Sequence, residues 1–191
     1  TVIGDRFGEA DALKKIANIK QRQGRYADAL AIYEKTQKIA AAIQDRKGEG
    51  DSLAGKGDTY VNQYQYTEAE KNYVLALDLL VELGDRAGEG DMRLTIGQLY
   101  EIQGEPLTAL DYYQQAFDIH KAIENRSGEA LSLTQIGDTY LDRSQYSEAL
   151  AYYEEALEIS REVGARAGEG NKMTNIGEDY DEQGNYEAAE G

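Results

Sequence analysis

Apolar residues recur along this chain at helical spacing. Leu133, Ile136 and Tyr140 lie three and four positions apart, and Tyr146, Ala149, Tyr153, Ala156 and Ile159 continue the same period. No alternating run is long enough to compete, so the pattern predicts helices and no strands. A slower period lies on top of the fast one. A shift of 40 residues brings Asp5, Asp45, Asp85, Asn125 and Ala165 into one column, and Gly8, Gly48, Gly88, Gly128 and Gly168, each followed by Glu, into another. Self-similarity at a fixed period marks a repeat architecture. The repeats are 5–44, 45–84, 85–124, 125–164 and an incomplete 165–191.

Each repeat reads as two helices. In the third, Gly84 suits the left-handed residue after a helix end and Asp85 suits the cap of the next. Gly104 closes the first helix, and Pro106, the only proline, sits where a first helical turn tolerates one. The predicted pairs are 6–23 with 26–43, 46–63 with 66–83, 86–103 with 106–123, 126–143 with 146–163, and 166–183 with a stub at 186–191. Thr1 to Gly4 align with the end of an earlier second helix, so the chain is expected to be a segment of a longer array.

Small residues in mid-helix carry a packing message. Gly57, Gly97, Gly137 and Gly177 share a column with Ala17. A mid-helix Gly costs up to about 1 kcal/mol against Ala, so its repetition implies close approach of the second helix. Ala29, Ala69, Ala109, Ala149 and Ala189 serve the facing side. Around them the expected core holds Ile16, Ile96, Ile136 and Ile176, the column of Tyr60, Tyr100, Tyr140 and Tyr180, and the column of Tyr33, Tyr73, Tyr113 and Tyr153. Tyrosine recurring at helical spacing reads as core, with each hydroxyl reaching the rim. Tyr112 and Tyr152 are less settled, because Asn72 shares their column.

The run Leu133…Ile136-Gly137…Tyr140…Tyr146…Ala149…Tyr153…Ala156 resembles a tetratricopeptide repeat, and the likeness covers essentially the whole chain. The 40-residue period exceeds the common 34. It is similar to the longer variety in Partner-of-Inscuteable-type adaptors, kinesin light chains and bacterial signalling proteins. Lys56, Lys20 and Arg93 depart from the pattern at the Ile, Tyr and Leu columns. The resemblance implies an all-α, right-handed superhelical solenoid of antiparallel helix pairs, with the first helix of each pair on the inner wall.

Given that arrangement, the stripe opposite the core on each first helix faces a groove. Candidate partner-binding residues are Asn18 in the first repeat; Asp51, Asp58 and Asn62 in the second; Asp91, Leu94, Gln98 and Ile102 in the third; Asp138, Leu141 and Asp142 in the fourth; and Thr174 and Glu178 in the fifth. Lys14, Gln21, Arg22, Val61, Glu101 and Leu131 share these stripes. Acids outnumber bases there, and the bases, Lys14 and Arg22, belong to the first repeat. Interleaved acids and apolar residues suit an extended or helical basic peptide with apolar anchors. Family members that hold the C-terminal carboxylate of heat-shock chaperones use Lys, Asn, Asn, Lys and Arg. Lys14 and Asn18 match the first two, but Gly55, Asp91 and Thr95 stand at the others, and an Asp repels a carboxylate.

Charge narrows the partners. The formal net charge is -16. A surface that tracks phosphate needs Lys and Arg, so neither nucleic acid nor an anionic membrane is an expected partner. There is no stretch of about 20 apolar residues to span a bilayer and no signal-peptide pattern. Cys is absent, which excludes disulfides and thiolate metal sites, and the expected location is the cytoplasm. His120 is the only His and reads as a surface or packing residue, and no Lys-Ser or Lys-Thr follows the recurring Gly-Glu-Gly. No cofactor, metal or catalytic activity is expected. The reading is a protein-interaction scaffold binding a protein or peptide. The rival is a structural spacer or self-assembly module of a larger signalling protein, and end-to-end self-association fits either.

Overall fold

The chain turns every 20 residues, and the turns share one chemistry. Gly24, Gly84, Gly104 and Gly164 adopt positive φ, as do Gln44, Tyr64, Glu124 and Ser144 at the intervening positions. A left-handed residue after a helix satisfies carbonyls that the helix leaves open. Asp45, Asp85 and Asn125 then cap the next helix, accepting from the backbone N–H of Gly48, Gly88 and Gly128 at 2.9, 3.0 and 3.2 Å. The Gly88 N–H, followed by Lys47, holds the Asp85 carboxyl below its ordinary range.

A computed structural model describes residues 2–164 of the chain, with side chains from residue 6. The helices are α1 (Val2–Arg22), α2 (Tyr26–Ala42), α3 (Arg46–Val61), α4 (Tyr66–Leu83), α5 (Arg86–Ile102), α6 (Pro106–Ala122), α7 (Arg126–Asp142) and α8 (Tyr146–Glu162). No strand occurs among the described residues. The expected helices at 166–183 and 186–191 lie outside them.

Contacts divide the chain into two compact units, Thr1–Gly88 and Glu89–Gly191. In the first, α1 packs on α2, α2 on α3 and α3 on α4, and α1 also touches α3. In the second, α6 packs on α7 and α7 on α8. Ala29, Ala69, Ala109 and Ala149 are fully buried. The glycine column is explained by aromatic rings laid flat on the backbone. A Cβ at Gly57 or Gly97 would overlap Cε1 of Tyr73 or Tyr113, and one at Gly137 would stand 2.7 Å from Cε1 of Tyr153. Gly55 is closed in the same way by Tyr33. These rings are the largest buried side chains of the core, so each glycine's cost as a helix former is offset by an aromatic seat.

Two expectations change, and one departure from the repeat pattern is accommodated. Ile16 is 44% exposed, whereas Ile136 is buried among Leu94, Ala109, Tyr113 and Ala116 of the helix pair before it. No helix pair precedes Ile16 in this sequence. The expected break at Gly4 and Asp5 is absent, because α1 begins at Val2 and runs through both. Arg93, a departure at the Leu53 and Leu133 column, is accommodated by an ion pair at 2.6 Å with the buried Glu89 and a bond at 3.0 Å to Gln115.

Tyr112 and Tyr152 take a defined place. Their rings stack on Tyr100 and Tyr140 at centroid distances of 5.5 and 5.4 Å. Asn72 in the same column instead donates to the Glu68 carbonyl. The Glu of the Gly-Glu pair also gains a partner. Arg46 bridges Glu49 and Glu82, and Arg126 bridges the buried Glu129 and Glu162. Each bridge ties the start of a first helix to the end of the following second helix.

Candidate partner-binding site

In the first unit, α1 and α3 bring three of the expected residues together. Asn18, Gln21 and Arg22 of α1, Tyr26 of α2, and Asp58 and Asn62 at the end of α3 line an open pocket of about 390 Å³. Its floor is tied to the core. The Tyr33 hydroxyl donates to Asn18 Oδ1, with a weaker bond to Gln21 Oε1 at 3.3 Å, and the Tyr73 hydroxyl donates to Asp58 Oδ1 at 2.7 Å. Asn62 donates its amide to the Asp58 carbonyl. Asp58 is open to water on the pocket side and surrounded by protein elsewhere. That desolvation raises its carboxyl above the ordinary range, and the Tyr73 bond opposes the rise. Burial, and then the Asp58 charge, push the Tyr33 hydroxyl up to about 12.

Asp51 is not in this pocket. It lies seven residues before Asp58, roughly 10 Å along the helix. There it pairs with Lys14 at 2.6 Å beside a second pocket, of about 240 Å³, that also holds Asp11 and Lys47. Its charge is therefore matched within the unit.

In the second unit, the stripes of α5 and α7 are joined. Glu101 accepts the Tyr113 hydroxyl at 2.7 Å and the Thr139 hydroxyl at 2.5 Å. Asp138 accepts the Tyr153 hydroxyl at 2.7 Å. The column of Asn18, Asp58 and Asp138 thus meets a core hydroxyl in three of the four described repeats. Gln98 shares that column but remains exposed, and Tyr113 turns to Glu101 instead. Asp142, Asp91 and Ile102 are exposed and Leu141 is half-buried. Leu94 departs from its expected place: only 4% exposed, it packs in the core with Tyr113 and Ile136, since α6 and α7 cover it. Thr174 and Glu178 lie outside the described residues.

The periodicity pointed past one participant. Tyr26 heads a column with Tyr66, Pro106 and Tyr146 at the first position of each second helix, and that recurrence was the available signal. Glu101 lies on the expected stripe, but only the reach of Tyr113 and Thr139 distinguishes it. Among the described residues, no group of three or more His, Cys, Asp or Glu is placed to hold a metal ion. No helix among them is long and apolar enough to cross a membrane.

Paired helices with small-residue seats under aromatic rings, repeated every 40 residues, define a helical-repeat protein. Models described as tetratricopeptide repeat match residues 51–122 and 124–191, and a further one matches 10–40. The chain belongs to the tetratricopeptide repeat family. No curated protein sequence matches it significantly. Among solved structures, it is similar to aspartyl phosphate phosphatase F from Bacillus subtilis, with a TM-score of 0.87 at 15% identity over 100% of this chain and 50% of that one. It is also similar to a signal-transduction ATPase with numerous domains and a tetratricopeptide repeat sensor from Pyrococcus horikoshii, with a TM-score of 0.79 at 22% identity over 92% of this chain and 27% of that one. A third is YrrB, a tetratricopeptide protein with an unusual peptide-binding site, with a TM-score of 0.57 at 21% identity over 99% and 87%. The chain thus spans half or less of the first two. Likeness at these identities speaks to the fold.

Proposed function

We propose that this chain is a protein-interaction scaffold whose second unit takes a basic peptide with an apolar anchor. The observation that supports the reading is the makeup of the α5 and α7 stripes. They carry Asp91, Glu101, Asp138 and Asp142 and no Lys or Arg, with Ile102, Leu131 and Leu141 beside the acids. Glu101 and Thr139 link the two helices, so the acids share one supported surface. The first unit contributes differently. Lys14 matches Asp51, and Arg22 stands in the pocket with Asp58, so its pocket suits polar, near-neutral groups. YrrB is described as binding a peptide, which agrees with the class of partner. In this reading the chain recognises and does not catalyse, and it works in the cytoplasm.

The test is fluorescence anisotropy with a labelled peptide of alternating Lys and Leu against a Glu and Leu counterpart. The Lys peptide is expected to bind at least about tenfold more tightly, which corresponds to ~1.4 kcal/mol, and to weaken with salt. Asp142→Lys should reduce the affinity while leaving helicity intact, because the Asp142 side chain is exposed. Equal binding of the two peptides, or no effect of Asp142→Lys, would leave the spacer reading as the better one.

A further inference from the structure

His120 is the single histidine of the chain, and it is fully buried in α6. Its ring fills the space between two glycines. A Cβ on Gly90 of α5 would stand 2.7 Å from Cε1, and one on Gly128 of α7 would overlap Cγ. The corresponding positions in the first two repeats carry Ala40 and Leu80, which face Gly48 and Gly88 in the same manner. In those repeats the cap of the following helix is an Asp. Beside His120 it is Asn125.

The cap settles which ring nitrogen holds the proton. The Gly128 N–H needs an acceptor and finds Asn125 Oδ1 at 3.2 Å. The Asn125 amide nitrogen must then be the atom 3.1 Å from His120 Nδ1. An NH2 group only donates, so Nδ1 is the acceptor and the hydrogen of the neutral ring sits on Nε2. Nε2 has no hydrogen-bond partner, and the nearest carboxylate oxygen, Asp91 Oδ1, is 3.6 Å away.

A second proton has one place to go, Nδ1. There it sets N–H against the N–H of the Asn125 amide. Rotating the amide would relieve that contact, but it would turn the NH2 toward Gly128 and uncap α7. The charged groups on the surrounding elements do not remove this conflict. Asp91 on α5 faces Nε2 and is 70% exposed, so water screens its attraction. Glu89 on α5 is held by Arg93, Glu129 on α7 by Arg126, and Lys121 on α6 lies over the Phe117 ring.

We propose that His120 and Asn125 form a proton-operated latch on the N-terminus of α7, closed when the imidazole is neutral and released when it is charged. The released state is the one with both ring nitrogens protonated, so acidification is the direction in which the latch opens. Asp caps cannot behave this way, because a carboxylate accepts from both neighbours.

The experiment is amide hydrogen exchange by NMR on the full chain, read as protection factors at about pH 7.5 and about pH 5, with the His120 ring followed alongside. The Gly128 amide is expected to lose about fivefold to tenfold in protection as the ring charges, the size of a lost helix cap. Gly48, capped by Asp45, should not change. Asn125→Asp, which supplies acceptors to both Gly128 and Nδ1, should abolish the loss. So should His120→Ser, a residue that the chain already buries at Ser160 in the same column. Protection at Gly128 that tracks Gly48 at both pH values would overturn the proposal, as would a loss that persists in His120→Ser or Asn125→Asp. The wild-type comparison stands alone should either variant fail to fold.

Discussion

The Tyr73 hydroxyl donates to the Asp58 carboxylate across 2.7 Å, joining a buried ring of α4 to a pocket-lining acid of α3. Tyr153 and Asp138 repeat the relationship at the same distance in the second unit. The acids of this column are therefore parts of the packing as well as of the surface.

Asp58 carries a cost that can be removed. Its folded-state carboxyl lies above the ordinary 3.8, because desolvation outweighs the Tyr73 bond. The ionised form is the disfavoured one, so its unfavourable contribution is full above the raised value and fades as pH falls toward the ordinary value. Asp58→Asn keeps an acceptor for Tyr73 and removes the charge, as Asn18 does for Tyr33. Urea denaturation should show the variant more stable than wild type at pH 7, with the two converging near pH 3. A less stable variant at pH 7 would contradict the desolvation argument.

Asp85 runs the other way. Its carboxyl is lowered by the Gly88 N–H and then by Lys47. Its stabilising contribution is present above the ordinary carboxylate value and is lost as pH falls through the lowered one. Asp85→Ala should destabilise the chain at pH 7, and the difference from wild type should shrink on acidification. A difference independent of pH would show that the cap acts without its charge.

The glycine seats predict steric cost. Gly137→Ala puts a methyl 2.7 Å from Cε1 of Tyr153 in a fully buried layer. Overpacking of this kind costs about 1–3 kcal/mol, readable as a lower urea midpoint with unchanged slope. A neutral outcome would mean that the ring can slide on its seat.

The turns predict a gain. Gln44 and Ser144 hold φ of 58° where other turns of the chain use Gly. A left-handed conformation costs an L-residue roughly 1–2 kcal/mol, and glycine's greater freedom when unfolded returns part of that. Ser144→Gly and Gln44→Gly should each raise stability by roughly 0.5–1 kcal/mol, measured by thermal melting. A fall in melting temperature would indicate that the side chains contribute contacts of their own.

Much of the fold was legible because each column is read several times. A helix break marked by Gly84 alone would be weak, but the same break recurs at Gly24, Gly104 and Gly164. The glycine column announced close approach without saying that the intruder is a tyrosine ring. Leu94 was misplaced because spacing within one helix defines a stripe, not what the next helix pair covers; Ile136 and Tyr113 close over it. The Lys14–Asp51 pair spans 37 positions, and the Tyr73–Asp58 bond crosses from one helix to its neighbour. Such links depend on side-chain reach, which periodicity along one helix does not contain.

The Glu101 bridge has a consequence for ligand recognition. A carboxylate that already accepts from Tyr113 and Thr139 has spent its rotamer freedom at folding. On the proposed reading, a peptide arriving at this face would meet a charge whose direction is set, with little ordering left to be done on the protein's side. Selectivity among such ligands would then rest on how well their own geometry matches a fixed template.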